Sequence, residues 1–175
     1  MKNLFLVLTL VLFCVSCQKD DFDIDNPDVE KFVQQLKESS YDQYVLGENG
    51  EKLWLKMPKF SKEHIPSLLE YAKDTSHIKK FPINPISSGV PFPYDRQYII
   101  LGECLLWTVE GIRNDGLYGS LNPVLLESTS DGKHKGLKGI GILKVRDIYI
   151  EWWTENQNET WQEKNPLEGT PYSWH

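Results

Sequence analysis

Between Ile99 and Ile112 the chain is apolar at almost every turn, through Ile99, Ile100, Leu101, Cys104, Leu105, Trp107, Val109 and Ile112. This spacing predicts a helix that opens at Asp95 and ends near Asn114-Asp115-Gly116, with apolar side chains on most of its circumference. Such a helix has no face suited to water, so the rest of the chain has to enclose it. The composition supplies that cover: 40% of the 175 residues are hydrophobic, and six Trp, eight Tyr and seven Phe are among them. One domain is expected at this length.

The other periodic segments are helical in spacing. Asn26-Pro27 is a capping residue followed by proline at the first helical position, and Val29, Phe32, Val33 and Leu36 then repeat at helical intervals, predicting a helix over 27–38. Phe60-Ser61 looks like a hydrophobic staple and cap, with Phe60 set to pack on Ile65, ahead of a helix over 62–75 whose stripe is Ile65, Leu68, Leu69 and Ala72. Between these two, Tyr44-Val45-Leu46 and Leu53-Trp54-Leu55 flank Gly47-Glu48-Asn49-Gly50, the pattern of a small β-hairpin near 44–55. Pro82, Pro85, Pro91 and Pro93 exclude a regular helix from the stretch 79–95, which reads as a loop pinned by Phe81, Ile83 and Ile86. A short helical piece is expected over 121–126, a mobile loop over 128–136, and a last helix over 139–157 with Ile142, Val145, Tyr149, Trp152 and Trp153 on one side. The fold expected is mainly α: a compact domain of about four main helices with that hairpin attached.

The N-terminus carries a different signal. Lys2 precedes an apolar run from Leu4 to Val15, and Ser16-Cys17 ends it, as in a secretory signal peptide covering 1–16. As a helix, the run would rise about 18 Å, well short of the ~30 Å hydrocarbon core of a bilayer. Cys14-Val15-Ser16-Cys17 resembles a bacterial lipobox, which implies cleavage before Cys17 and acylation of its sulfur; a secreted chain without lipid is the alternative. Loss of Lys2 takes the 19 basic residues to 18 against 25 acidic ones, a net charge of −7, and leaves Cys17 and Cys104 as the only cysteines. No disulfide framework is then available. The acidic balance also excludes nucleic acid as a default partner.

Behind Cys17, the residues Lys19, Asp20 and Asp21 resemble the export signal that sends Bacteroidetes lipoproteins to the outer face of the outer membrane. Residues 17–26 read as a lipidated acidic tether. Asp21, Asp23 and Asp25 begin like an EF-hand loop, but Asn26 stands where glycine makes the turn and Phe32 where a bidentate glutamate closes it, so no metal site is expected. Further on, Phe81 to Ser88, Leu101 to Arg113, Trp152-Trp153 and Asn165-Pro166-Leu167-Glu168-Gly169 resemble a family of Bacteroidetes surface lipoproteins of unknown function, over most of residues 55–174. The resemblance implies a mainly helical domain, 27–175, with helix pairs stacked in the manner of HEAT or armadillo units. It implies no catalytic residue. No repeat period is visible in the chain itself.

Motifs for chemistry are sparse. His64, His77, His134 and His175 match no ligand spacing, and no nucleophile elbow or phosphate-binding glycine loop occurs, so no cofactor is expected. Cys104 lies on an apolar helical face and reads as a buried, inert thiol. Glu103 and Glu110, seven residues apart, face the same way about 10 Å apart along a helix axis, which suits either a pair of catalytic carboxylates or structural pairing with Arg96, Arg113 or loop amides. Trp152, Trp153, Trp161, Tyr172 and Trp174 crowd the C-terminal quarter, as core or as a stacking platform for sugars or protein. The expectation is therefore a lipoprotein held at the outer membrane and displayed at the cell surface, acting as a binding or scaffold module. A glycan-binding accessory protein using those tryptophans and a cryptic hydrolase using Glu103 and Glu110 are the alternatives.

Overall fold

Asp28 opens the first helix, α1 (Val29–Lys37), its carboxylate accepting the Lys31 N–H at 2.8 Å. The computed structural model describes residues 22–87 and 98–175. The segment 1–16, Cys17, Lys19, Asp20 and Asp21, and also Pro91, Pro93, Asp95 and Arg96, lie outside the described residues. Helix α1 buries Val29, Phe32, Val33 and Leu36, the stripe anticipated from their spacing. Phe22 is buried too and stacks on Phe32 at 5.8 Å, so residues 22–26 of the acidic tether are laid against the domain.

Strands β1 (Tyr44–Leu46) and β2 (Lys52–Leu55) form the expected antiparallel hairpin, with Tyr44 opposite Leu55 and Val45 opposite Trp54. Gly50 at its turn has φ +77°, a conformation that glycine adopts without strain. A single 3₁₀ turn at Lys62–His64 leads into α2 (Ile65–Tyr71). The Phe60 ring lies 5.2 Å from both Phe32 and His64, tying the entry of α2 to α1. Helix α2 stops four residues short of the expected Thr75, because the Asp74 N–H returns to the Tyr71 carbonyl while the Asp74 carbonyl accepts the Gly102 N–H.

The central helix is the principal case of an element displaced from its expected start. Ile99 and Ile100 are extended and form β4, which pairs antiparallel with β3 (His77–Ile78). Helix α3 begins only at Leu101 and runs to Arg113, with every residue from Leu101 to Ile112 buried. It packs against α1, α2 and α4 (Gly139–Asn156), so the enclosure anticipated for an all-round apolar helix is realised.

The mainly α reading is contradicted at the other end of the chain. Residues 121–126 hold no helix; Leu125–Ser128 is a strand, β5. The expected loop 128–136 is its hairpin return, with β6 at His134–Gly136. The C-terminal Tyr172–Trp174 is β7, which pairs with the other edge of β5 to give the order β6-β5-β7. Among the described residues, four helices and three small sheets make a mixed α/β domain, and no stack of helix pairs of the HEAT or armadillo kind is formed there. A short apolar run such as Val124-Leu125-Leu126 cannot be told from a buried helical segment by periodicity, and its pairing with residues 172–174 is non-local. No helix of the described residues is long and apolar enough to cross a membrane.

Candidate functional site

The two carboxylates on α3 point into the protein and hold different neighbours. Glu103 has no exposed surface; its Oε1 accepts the Leu125 N–H at 2.6 Å and its Oε2 the Ile100 N–H at 3.4 Å. It closes the start of its own helix and fastens β5 to it. Glu110, two turns on, receives Arg113 through both carboxylate oxygens at 2.6 and 3.0 Å and the Tyr149 hydroxyl at 2.8 Å. The Trp174 indole N–H in turn donates to the Tyr149 oxygen at 3.0 Å, and Arg113 reaches the Gln162 carbonyl at 2.9 Å. The hydrogen bond and charge of Glu110 hold the Arg113 guanidinium above its ordinary value against the effect of burial. Burial, helped by the Glu110 charge, raises the Tyr149 phenol well above its own. Both carboxylates are buried. Their geometry is that of groups joining elements, with α3 tied to β5 by Glu103 and to α4 and β7 by Glu110, and the hydrolase reading loses its acid–base pair.

Cys104 is fully buried, and burial pushes its thiol up, as the sequence leads one to expect for an inert cysteine. The histidines are dispersed: His64 bonds Ser61, His134 bonds Ser128, His175 bonds Asn122, and His77 stacks on Tyr98. Among the described residues no group of His, Cys, Asp and Glu converges as a metal would require.

The aromatic cluster divides by depth. Trp152 and Trp161 are buried, with ring centroids 6.1 Å apart, while Trp153 and Trp174 keep partial exposure. Lys62 places its ammonium 5.8 Å from the rings of both Trp153 and Trp161. Trp152, Trp153 and Trp161 thus form one corner of the domain with ring centroids 5.8–6.1 Å apart, and Trp174 stands on β7, bonded to Tyr149. Trp153 lines a groove of about 370 Å³, with Pro66, Glu70, Lys73, Arg146 and Thr154 around it, and Trp161 lines a separate one of about 390 Å³ with Phe60 and Lys62.

A larger hollow, about 590 Å³, lies where the β6-β5-β7 sheet meets the first turn of α4. Its walls combine Lys135, Lys138 and Lys144 with Tyr172, Glu127 and the 76% exposed Ile140. Lys135 pairs with Glu127 at 3.0 Å, and the first turn of α4 carries no acidic residue. Three lysines against the single carboxylate of Glu127, beside exposed apolar surface, suit a ligand that has an apolar body and an acidic group. Sequence reasoning missed this hollow although Lys135, Lys138 and Lys144 fall within ten residues of one another, because the walls that complete it, Glu127 and Tyr172, come from β5 and β7.

The fold and this hollow define a small α/β domain built round one enclosed helix. The chain belongs to the DUF4943 family, a domain of unknown function, matched over residues 23–175. That span contains the whole stretch on which the resemblance to a family of unknown function rests. No curated protein and no solved structure matches the chain.

Proposed function

We propose that the chain is a lipid-anchored, surface-displayed binding module of the outer membrane that takes a small amphipathic anion. The observation that carries the binding reading is the hollow between the β6-β5-β7 sheet and α4, whose lysines and exposed Ile140 offer opposite chemistries within one concavity. Supporting it, Glu103 and Glu110 are engaged in joining elements. The anchor reading rests on the apolar run before Cys17, and the display reading on Lys19, Asp20 and Asp21 behind it.

Titration with 8-anilinonaphthalene-1-sulfonate, an apolar body bearing one sulfonate, tests the binding site. Amide shift changes should concentrate on residues 135–144, and Lys138→Glu with Lys144→Glu should weaken the binding at least tenfold. Shifts confined to other surfaces would overturn the assignment. The mass of the mature N-terminus tests the anchor, an unmodified Cys17 being the adverse result, and protease or antibody access on intact cells tests display. Replacing Lys19, Asp20 and Asp21 by alanine should turn the domain inward without unfolding it.

The glycan reading keeps one supporting observation, the Trp153 groove with its polar rim of Glu70, Arg146 and Thr154. A glycan array on which Trp153→Ala behaves as wild type would remove it.

A further inference from the structure

The β1-β2 hairpin exposes more apolar surface than a two-stranded element in water normally carries. Six of its seven strand residues are apolar or aromatic, and Leu46, Leu53 and Trp54 are 50%, 46% and 59% exposed. Adjacent Leu53 and Trp54 point to opposite faces, so both sides of the hairpin are apolar. Isolated exposed leucines are ordinary, whereas three large exposed side chains spread over both faces of one short hairpin suit an occupant that surrounds it.

The point where the chain enters the domain indicates what that occupant is. Phe22, Asp23 and Ile24 share a concavity of about 520 Å³ with Tyr44, Val45 and Leu46, so the N-terminal end of the domain adjoins β1. Trp54 lies opposite Val45, one strand spacing of about 4.8 Å further out. From Cys17 to Phe22 there are five residues, which can span at most about 18 Å. An acyl anchor on Cys17 therefore holds the hairpin beside the lipid headgroups.

We propose that the β1-β2 hairpin rests in the bilayer interface through Leu46, Leu53 and Trp54, giving the domain a second membrane contact that orients it. The geometry rests on the Cys17 anchor proposed above. The chemistry fits: Trp is suited to the headgroup level, and Lys52, whose ammonium lies 4.1 Å from the Tyr44 ring centre, can cover apolar surface while its charge stays in water. Exposed Asp42, Glu48 and Glu51 on and beside the hairpin oppose attraction to anionic lipid, so the contact is apolar and insensitive to salt. The hairpin takes the bilayer rather than a ligand.

The test couples the mature chain, residues 17–175, through the Cys17 thiol to a maleimide lipid in phosphatidylcholine vesicles, the buried Cys104 being out of reach of the reagent. Brominated acyl chains then quench tryptophan emission by contact. Quenching should fall at least twofold in Trp54→Phe, fall likewise in the Leu46→Asn, Leu53→Asn double variant, which keeps the fluorophore, and hold between 50 mM and 500 mM salt. Circular dichroism and melting temperature show whether each variant is folded. Equal quenching in wild type and Trp54→Phe would overturn the proposal. So would a solution dimer of the unanchored chain that Trp54→Ser dissociates, since the patch would then belong to a second copy. Native lipidation is read separately from the mass of the cell-derived N-terminus, so failure of the anchor and failure of the hairpin contact are distinguishable.

Discussion

The carboxylate of Glu103 accepts the Leu125 N–H at 2.6 Å, across 22 residues of sequence, and by that bond the enclosed helix α3 and the central strand β5 become one unit. The side chain has no solvent contact, and its second oxygen takes the Ile100 N–H at the helix start. Two backbone donors that would otherwise be buried without an acceptor are satisfied by one residue.

Glu103→Ala should accordingly lower stability by about 3–5 kcal/mol, the sum of two orphaned buried donors and a cavity. Glu103→Gln keeps an acceptor oxygen and should cost roughly half as much. Urea denaturation of both variants checks this. Equal losses would mean that Glu103 acts through its full carboxylate, and that neither side-chain volume nor a single acceptor oxygen is what it contributes.

Tyr149 stands between Glu110 and Trp174, donating to the first at 2.8 Å and accepting from the second at 3.0 Å. Tyr149→Phe should cost about 1–2 kcal/mol, and with Trp174→Phe it should couple by about 1 kcal/mol in a double-mutant cycle. Faster hydrogen exchange at residues 172–174 in Tyr149→Phe would show that the network helps to keep β7 on the sheet. Strict additivity of the two substitutions would separate Trp174 from it.

Gly102 is where α3 passes closest to the end of α2. A Cβ there would press into the Ala72 carbonyl oxygen, and the Gly102 N–H donates to the Asp74 carbonyl at 2.9 Å. In an open helix Gly→Ala would gain about 1 kcal/mol, but here the obstacle is backbone and cannot rotate away. Gly102→Ala should therefore destabilise by about 2 kcal/mol, read as a lower melting temperature.

Asp74 closes the same turn with its side chain, accepting Lys37 Nζ at 2.8 Å and the Ser76 N–H at 2.9 Å. Burial alone would raise its carboxyl, but the hydrogen bonds from Lys37 and Ser76 outweigh it and hold the group below its ordinary 3.8. A carboxylate depressed on folding contributes stability that is present above its unfolded value and is lost as pH falls through the folded one. Asp74→Asn should thus cost about 0.5–1 kcal/mol at pH 7 and almost nothing well below pH 3, a convergence that urea midpoints across that range would register.

Helices α1 and α4 follow their sequence patterns closely because their determinants are local. The cap of the first is Asp28 rather than the expected Asn26, two residues later, but the spacing of Val29, Phe32, Val33 and Leu36 and of Ile142, Val145, Tyr149 and Trp152 already names the faces that turn inward. The hairpin turn from Gly47 to Gly50 and the burial of Cys104 belong to the same group. In each, neighbours within a few residues decide the outcome.

Long-range partners decided the rest. Ile99 and Ile100 suit a helix or a strand equally, and it is His77 and Ile78, across the proline-rich stretch, that draw them into β4. Leu125 and Leu126 became strand because residues 134–136 and 172–174 supply hydrogen bonds on either edge, which no periodicity within 121–126 could announce. Glu103 and Glu110 carry the same side chain on the same helix, and only tertiary packing settled that one holds a strand and the other a Tyr149–Trp174 chain. The hollow of Lys135, Lys138 and Lys144 is local along one side, and the pairing of β5 with β7 adds Glu127 and Tyr172 to it. Propensity and spacing act over one or two turns, whereas desolvating a carboxylate or pairing a strand edge depends on groups dozens of residues away.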